Sequence, residues 1–379
     1  MRSVKDTIER LSAMRGAVLP GNGSAPDLLQ DLPAFGSNPG ALRGRCYVPG
    51  QLGPDAPLVV VLHGCTQTAA GYDHGSGWSQ LADAHGFALL YPEQQRANNP
   101  NLCFNWFHPE DTRRDAGEAL SIRQMVAAMV ATHAIDPARI YVTGLSAGGA
   151  MASVMLATYP DVFAGGAVIA GLPYGTAHSV PEAFDRMRAH GGPPAAALGA
   201  LVAQASPHRG PWPRLSVWHG TADATVHVAN ATLVVEQWRG LHHASSESRQ
   251  VEQGEGYRRT VWHDAQGREV IEEYRIDGMG HGTPLATQGP DACGTAGPFM
   301  LEADISSTRR IAQFWGIATD QSARSAHPTD NRARTASAAV IQHAGTPPAF
   351  TSPRPSRAAP ANKIGQVIED ALRAAGLMR

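Results

Sequence analysis

The pentapeptide Gly144-Leu-Ser-Ala-Gly148 decides the fold of this chain. It fits the pattern G-x-S-x-G, follows the apolar run Ile140-Tyr-Val-Thr143 and precedes an alanine-rich stretch. In a sharp turn from a strand into a helix, the central residue is held in a strained conformation and the flanking glycines avoid steric crowding. The motif and its flanks therefore predict a strand, turn and helix that expose Ser146 as a nucleophile.

Compact apolar runs alternate with helical patterns between Arg45 and Ile317, which is typical of βαβ units and a parallel sheet. Strands are predicted at Leu58 to Leu62, Phe87 to Tyr91, Arg139 to Thr143, Ala164 to Ile169 and Leu215 to His219, and helices at 115 to 133, 147 to 158, 228 to 240 and 303 to 315. With Ser146 at the end of a strand, this order predicts an α/β-hydrolase fold, in which helices flank a mostly parallel central sheet.

Two further runs, Tyr257 to Trp262 and Val270 to Ile276, alternate in polarity on either side of the turn from Asp264 to Gly267. Such a pattern predicts a pair of antiparallel strands, which we place at an edge of the sheet.

The composition divides the chain into four segments. Residues 1 to 44 are predicted to form an amphipathic helix and an arm, 45 to 317 the catalytic domain, 318 to 362 a flexible linker rich in Pro, Ser and Ala, and 363 to 379 a second amphipathic helix. Two alternatives exist for the terminal helices. They pack on the catalytic domain or on a second subunit, forming a homodimer, or they attach to a hydrophobic polymer surface.

Charge and hydropathy exclude several classes of function. The 31 Lys and Arg residues against 33 Asp and Glu residues leave a formal net charge of −2, which offers no basic surface for nucleic acid. No apolar run approaches the roughly 20 residues that a transmembrane helix needs. Residues 1 to 15 lack the apolar core of a signal peptide, which favours a reducing compartment, whereas cysteines beside predicted active-site loops favour disulfides. The compartment is therefore unknown from the sequence.

A serine nucleophile needs a histidine to take its proton and a carboxylate to orient that histidine. Asp223 stands in the loop Trp218-His-Gly-Thr-Ala-Asp223, directly after a predicted strand, and is our candidate for the acid. Asp264 and Asp277 are the rival carboxylates, and a helix-capping role is the alternative for Asp223.

Sixteen histidines compete for the role of base. Only His281, in Gly278-Met-Gly-His281-Gly, combines a glycine-flanked loop with a position after Asp223 and after the last strand pair. His227 and His263 are the alternatives, and His242-His243 lacks the spacing of metal ligands. The sequence thus predicts a triad of Ser146, Asp223 and His281.

The segment Leu62-His-Gly-Cys65-Thr-Gln67 follows the first strong predicted strand. In this fold a loop in that position donates a backbone amide to the oxyanion hole. We therefore predict that the N–H groups of Cys65 and Ala147 form the oxyanion hole and that His63 is structural.

Five segments together resemble the polyhydroxybutyrate depolymerase family of esterases, which also includes feruloyl and acetylxylan esterases. These segments are His63-Gly-Cys-Thr-Gln67, Cys103-Phe-Asn-Trp-Phe107, Gly144-Leu-Ser-Ala-Gly-Gly-Ala-Met151, His219-Gly-Thr-Ala-Asp223 and Gly278-Met-Gly-His281. The resemblance implies an α/β-hydrolase fold, the same Ser146, Asp223 and His281 triad, no cofactor, and activity on hydroxyalkanoate polyesters or other carboxylic esters. No metal is expected, because the histidine pair lacks the spacing of metal ligands. Members are commonly secreted, and this chain departs from them in having no recognisable signal peptide.

The resemblance also implies a disulfide between Cys65 and Cys103, with Cys46 and Cys293 either free or paired. Trp106, Phe107 and Thr66 are candidate substrate-binding residues, and core packing is the alternative for the two aromatic residues. Trp78 and Trp212 are weaker candidates.

Three functions follow from these observations. The first is a serine esterase that cleaves polyhydroxyalkanoates or their oligomers through an acyl-enzyme. The second is an esterase for feruloyl, acetyl or aromatic polyester substrates. The third, from a different class, is a non-catalytic coat protein of polyester granules.

Overall fold

The computed structural model describes residues 27–245, 247 and 249–319. The terminal helices predicted within 1 to 44 and at 363 to 379, and nearly all of the predicted linker, lie outside these residues. The described strands are β1 (Gln30–Asp31), β2 (Arg43–Tyr47), β3 (Ala56–Leu62), β4 (Ala88–Glu93), β5 (Ile135–Leu145), β6 (Gly165–Ile169), β7 (Arg214–Gly220), β8 (Arg249–Gly254), β9 (Tyr257–His263), β10 (Glu269–Ile276), β11 (Thr283–Leu285) and β12 (Met300–Glu302).

Helices connect most of these strands. They are α1 (Ala69–Ser76), α2 (Trp78–His85), α3 (Pro109–Thr112), α4 (Gly117–Thr132), α5 (Ala147–Thr158), α6 (Val180–Met187), α7 (Ala195–Ala205), α8 (Ala229–Arg239) and α9 (Ser307–Phe314). Within the described ranges, no helix is both long enough and apolar enough to cross a bilayer.

Ten of the strands form one sheet in the order β1-β2-β4-β3-β5-β6-β7-β10-β9-β8. The six neighbouring strands from β4 to β10 are parallel, and the strands at both ends of the sheet are antiparallel. The carboxyl ends of β3, β5, β7 and β10 therefore meet at one edge of the sheet. This arrangement confirms the predicted α/β-hydrolase fold.

The core lies on both faces of the sheet because successive side chains of a strand point to opposite sides. In β3, Leu58, Val60 and Leu62 belong to a first cluster with α4 to α8, while Val59 and Val61 belong to a second cluster with α1, α2 and α9. Every residue of β3 and of α5 is buried, which explains why their sequences lack an amphipathic pattern.

The predicted position of the antiparallel pair at the sheet edge is wrong. Strands β9 and β10 do pair in an antiparallel manner, but β10 also pairs with β7, and β8 forms the edge beyond β9. The sequence of β8 gave no strand signal because its side chains are mostly polar, and its one large apolar residue, Val251, is 57% exposed.

The central sheet includes residues that precede residue 45, the predicted start of the catalytic domain. Strand β1 and the first residues of β2 belong to it, and the buried guanidinium of Arg45 forms ion pairs with the carboxylates of Asp27 (2.9 Å) and Asp31 (3.1 Å). Part of the predicted arm is therefore an edge of the sheet.

Candidate active site

Ser146 lies in the turn between β5 and α5. Its backbone adopts φ 57° and ψ −117°, a conformation that a residue with a side chain rarely adopts. Its N–H donates to the carbonyl of Ile169 at the end of the neighbouring strand β6 (2.9 Å). The surrounding hydrogen bonds and packing hold the strained turn at the carboxyl edge of the sheet.

Gly148 shows why small residues flank the serine. A Cβ placed on Gly148 would lie 2.2 Å from the carbonyl oxygen of Leu62 and 2.5 Å from that of His63. The first turn of α5 is thus in direct contact with the loop that follows β3. A side chain at Gly148 would push apart the Ser146 turn and the loop that carries Cys65.

Asp223 follows β7, and its side chain is fully buried. Its Oδ1 accepts the N–H groups of Thr225 (2.8 Å) and Val226 (2.9 Å), while its Oδ2 lies 2.7 Å from Nδ1 of His281. Burial alone would raise the pKa of Asp223, but hydrogen bonds from His219 and His281 outweigh it and hold that pKa well below its usual range. The carboxylate is therefore ionised at neutral pH.

The loops of Asp223 and His281 are bonded directly to each other. Three hydrogen bonds join them, from Thr221 N–H to Ile276 C=O (2.9 Å), from Ala222 N–H to Met279 C=O (3.0 Å) and from Gly278 N–H to the Thr221 hydroxyl (2.8 Å). These bonds hold the backbones of the two loops together, and they thereby position the side chains of Asp223 and His281 against each other.

His219 is a partner of Asp223 that the sequence analysis missed. Its Nε2 lies 2.8 Å from the carbonyl of Val226 and 3.3 Å from Oδ2 of Asp223, and the residue is only 1% exposed. A carbonyl only accepts, so Nε2 of His219 carries a proton. The same N–H lies near Oδ2 of Asp223, the oxygen that also contacts His281. The one signal of His219 in the sequence was its position four residues before Asp223, at the end of the same strand.

The loop after β3 presents the backbone amide of Cys65. The N–H of Gly64 donates to Oε1 of Gln67 (2.8 Å) and that of Thr66 to the carbonyl of Asn101 (2.7 Å). In the described part of the chain, the N–H of Cys65 has no protein acceptor, and Ala147, as the first residue of α5, has none within its helix. The pair of amides predicted to bind an oxyanion is therefore available to a ligand.

His63 is structural in its surroundings, as the sequence predicted. It is buried, its Nδ1 lies 2.8 Å from the carbonyl of Gly64, and its Nε2 accepts the N–H of Gln94 (3.1 Å). Burial lowers the pKa of His63, so the neutral ring bridges the loops after β3 and β4.

A disulfide joins Cys65 to Cys103, as the family resemblance implied. Beside Cys103, Gln94 donates to the carbonyl of Cys103 (2.9 Å) and to the buried carboxyl group of Glu118 (2.6 Å). Glu118 in turn accepts the N–H of Asn105 (2.8 Å). This buried polar network holds the Cys103 loop, and the disulfide extends its support to Cys65.

The other two cysteines are free and buried. Cys46 packs in the first cluster, whereas the thiol of Cys293 lies 3.4 Å from the carbonyl of Gly77, beside helices of the second cluster. The sheet separates them, so they do not pair with each other.

The three candidate substrate-binding residues have different surroundings. Trp106 is 8% exposed and belongs to the first cluster, which favours the core-packing alternative. Phe107 is half-buried, with its ring edge-on to Trp106 at 5.4 Å, and Thr66 is exposed with φ 65°. The prediction that Trp78 contacts substrate is wrong, because its side chain is buried against Trp315 in the second cluster.

The structure brings His281 and Asp223 into contact, but it does not join Ser146 to His281. Among the described residues, no hydrogen bond links their side chains, although both residues lie at the carboxyl edge of the sheet. Bonds between a nucleophile and its base are often long before substrate binds.

Comparison with known proteins identifies the family. The Esterase PHB depolymerase family model matches residues 45–257. The chain is 46% identical over 317 residues to poly(3-hydroxyalkanoate) depolymerase C of Paucimonas lemoignei, covering 83% of this chain and 76% of that protein. It is 31% identical over 262 residues to feruloyl esterase B of Talaromyces funiculosus, covering 66% and 72%.

A solved structure supports the fold. The acetyl xylan esterase from Aspergillus awamori superposes with a TM-score of 0.65 at 24% identity, covering 76% of this chain and 99% of that one. The chain therefore belongs to the esterase PHB depolymerase family, and it is a carboxylic ester hydrolase with an α/β-hydrolase fold.

Proposed function

We propose that the chain hydrolyses polyhydroxyalkanoate-type polyesters or their oligomers through a Ser146, His281 and Asp223 triad. The observation that carries the triad is the 2.7 Å contact between His281 and the buried Asp223, at the sheet edge where the Ser146 turn also lies. A buried carboxylate that accepts from a histidine, near a strained serine turn, is the arrangement that nucleophilic acyl transfer needs.

In the proposed mechanism, Oγ of Ser146 attacks the ester carbonyl carbon, and Nε2 of His281 takes the hydroxyl proton. Asp223 keeps the other imidazole proton on Nδ1 and stabilises the imidazolium. The oxyanion accepts the N–H groups of Cys65 and Ala147. His281 then gives its proton to the leaving alcohol, and water, activated by the same histidine, releases the acid from the acyl-enzyme.

The polyester assignment rests on a comparison of sequence identities: the chain is more similar to a polyester depolymerase than to a feruloyl esterase. A poly(3-hydroxyalkanoate) depolymerase is 46% identical to this chain, whereas a feruloyl esterase is 31% identical. Fold alone does not select an ester, since one scaffold hosts many specificities. The substrate therefore has to be tested directly.

We predict that kcat/KM for a 3-hydroxybutyrate oligomer exceeds that for a feruloyl ester by about 100-fold, the discrimination that a shaped pocket typically provides. The measurement is a panel of 3-hydroxybutyrate trimer, methyl ferulate, acetylated xylan and p-nitrophenyl butyrate, with the last as the common reference. A feruloyl or acetyl substrate that outperforms the trimer would transfer the assignment to the second function.

We also propose that the segment after residue 319 binds polymer. Among the described residues, the exposed large apolar side chains are Leu28 (49%) and Val251 (57%), which form little surface for a hydrophobic film. A chain that ends at residue 319 should keep its turnover of the soluble trimer and, in a separate binding assay, lose binding to a polyester film. Unchanged film binding would assign the tail to packing or dimerisation.

Removing the Cys65–Cys103 disulfide is expected to weaken both the fold and the oxyanion hole. The bridge closes a loop with a sequence separation of 38, so a Cys65→Ser/Cys103→Ser variant should lose about 2 to 4 kcal/mol of unfolding free energy in urea. We expect kcat/KM to fall about 10-fold, less than the ~10²- to 10³-fold cost of losing a whole oxyanion donor, because the Cys65 amide remains.

The control for this variant is a reducing agent. Reductant should lower the activity of the wild type and leave the double variant unchanged, because Cys46 and Cys293 are already free. A double variant with wild-type kcat/KM would show that the position of the Cys65 amide does not depend on the bridge.

A further inference from the structure

Phe299 occupies an unusual position beside His281. Its ring is edge-on to the imidazole, with the ring centroids 6.2 Å apart and an interplanar angle of 83°. Its backbone has φ 62°, the left-handed region that a bulky side chain rarely adopts, and the residue is only half-buried. The ring packs against the second core cluster, but it is only partly covered there, and it also contacts the predicted base.

The backbone around Phe299 is fixed tightly enough to hold this conformation. The carbonyl of Phe299 accepts the N–H of Thr283 (2.8 Å), two residues after His281, and a Cβ on Gly282 would lie 2.7 Å from the same oxygen. Gly297 and Met300 exchange two hydrogen bonds of 3.0 Å around Phe299. These contacts hold the backbone of Phe299 against the segment that follows His281.

The loop before Phe299 is anchored to a different part of the molecule. The N–H of Cys293 donates to Ala286 (2.9 Å), and the N–H of Thr295 donates to the carbonyl of Gly75 in α1 (2.9 Å). Backbone strain persists where the surroundings enforce it, and such residues cluster at catalytic sites and ligand contacts. Here the enforced strain points a half-exposed ring toward the predicted base.

The role of His281 in the proposed function indicates which part of the substrate this ring would meet. The histidine gives its proton to the oxygen of the departing alcohol, so the alcohol portion of the ester has to lie next to the imidazole. A ring packed against that imidazole borders the alcohol portion rather than the acyl portion. This step rests on the proposed triad.

We propose that Phe299 is a specificity-determining residue for the alcohol portion of the ester. In a 3-hydroxyalkanoate chain, the departing oxygen is attached to a secondary carbon that carries an alkyl group. The ring of Phe299 provides an apolar surface that contacts this alkyl group. Other residues contact the acyl portion.

Two series of esters separate this role from a general structural one. In the first series the acyl group is butyrate and the alcohol is methyl, n-butyl or sec-butyl. In the second the alcohol is p-nitrophenol and the acyl group is acetate, butyrate or octanoate. The proteins are the wild type, Phe299→Leu, Phe299→Ala and, as a control, Phe35→Leu, which changes another half-buried phenylalanine beside β2.

For Phe299→Ala we expect the sec-butyl to methyl ratio of kcat/KM to fall by about 10-fold, mainly through KM, since pocket contacts of this size are worth about that factor. Phe299→Leu should show a smaller change, and the acyl series should keep its ratios in every variant. Phe35→Leu should preserve the ratios of both series.

Ratios that stay constant while all rates fall together would overturn the proposal and assign Phe299 a structural role. A change of equal size in the acyl series would also overturn it. Unfolding in urea identifies a variant that does not fold, in which case Phe299→Leu decides. Ser146→Ala measured on the same esters tests the proposed function separately. Loss of turnover in that variant tests the nucleophile, whereas the role of Phe299 is tested by the ratios of kcat/KM.

Discussion

Replacing Ser146 by alanine is expected to lower kcat/KM for every ester by about 10⁴-fold or more, because the proposed acyl-enzyme has no other attacking atom. The oxyanion amides and the substrate contacts remain, so a residual rate above that of water should persist. Pre-steady-state kinetics with p-nitrophenyl butyrate should show a burst of one nitrophenolate per wild-type chain and no burst for the variant.

The same substitution should leave the fold intact. Serine already has a Cβ in the strained turn, so alanine adds no clash there, and we expect the unfolding free energy to change by less than about 1 kcal/mol. Ser153→Ala is the matched control, because Ser153 lies on the same helix and, among the described residues, its hydroxyl donates to the carbonyl of Gly149 alone, at 3.4 Å. Turnover by Ser146→Ala above a hundredth of the wild-type rate would exclude Ser146 as the nucleophile.

The central strands were predictable because each is a short apolar run that both faces of the sheet bury. The predicted helix at 147 to 158 coincides with α5, since the G-x-S-x-G turn and the alanine-rich run mark its start. Strand β8 was not predictable, because an edge strand with polar side chains on both faces has no period of two in its hydropathy.

The site was predictable where a residue has a local backbone signature and unpredictable where it depends on contacts distant in sequence. Asp223 and His281 stand in glycine-containing loops after strands, and these loops are recognisable in the sequence. By contrast, the 6.2 Å contact between Phe299 and His281 depends on the path of the loop from Ala286 to Gly297, which no local pattern encodes. The contact of His219 with Asp223 was not predictable, because in the sequence a histidine inside a strand is indistinguishable from any other buried polar residue.

The second large effect is expected for Asp223→Asn, which should lower kcat/KM by about 10⁴-fold with little change in shape. Oδ1 of Asp223 accepts two backbone amides, so the carbonyl oxygen of the asparagine is required at that position. The new amide NH₂ then replaces Oδ2 and faces Nδ1 of His281. His281 can accept that bond only with its proton on Nε2, where it can no longer take the proton of Ser146.

His219 strengthens this expectation. Its Nε2–H donates to Val226, so it presents no lone pair to the new NH₂ group, and the asparagine cannot turn toward it for an acceptor. The amide is therefore directed at His281, and the wrong tautomer is enforced. The measurement is kcat/KM for p-nitrophenyl butyrate, with urea unfolding to verify that the variant folds.

The rival carboxylates supply matched controls for Asp223→Asn. Asp264 lies in the turn between β9 and β10 and is paired with Arg268 (2.7 Å), at the amino end of β10, and Asp277 is exposed. Asp264→Asn and Asp277→Asn should both retain kcat/KM to within about twofold, because among the described residues neither carboxylate contacts His281. If Asp223→Asn retained a tenth of the wild-type rate while either control lost more, the acid of the triad would be the rival carboxylate, and the 2.7 Å contact between Asp223 and His281 would be structural.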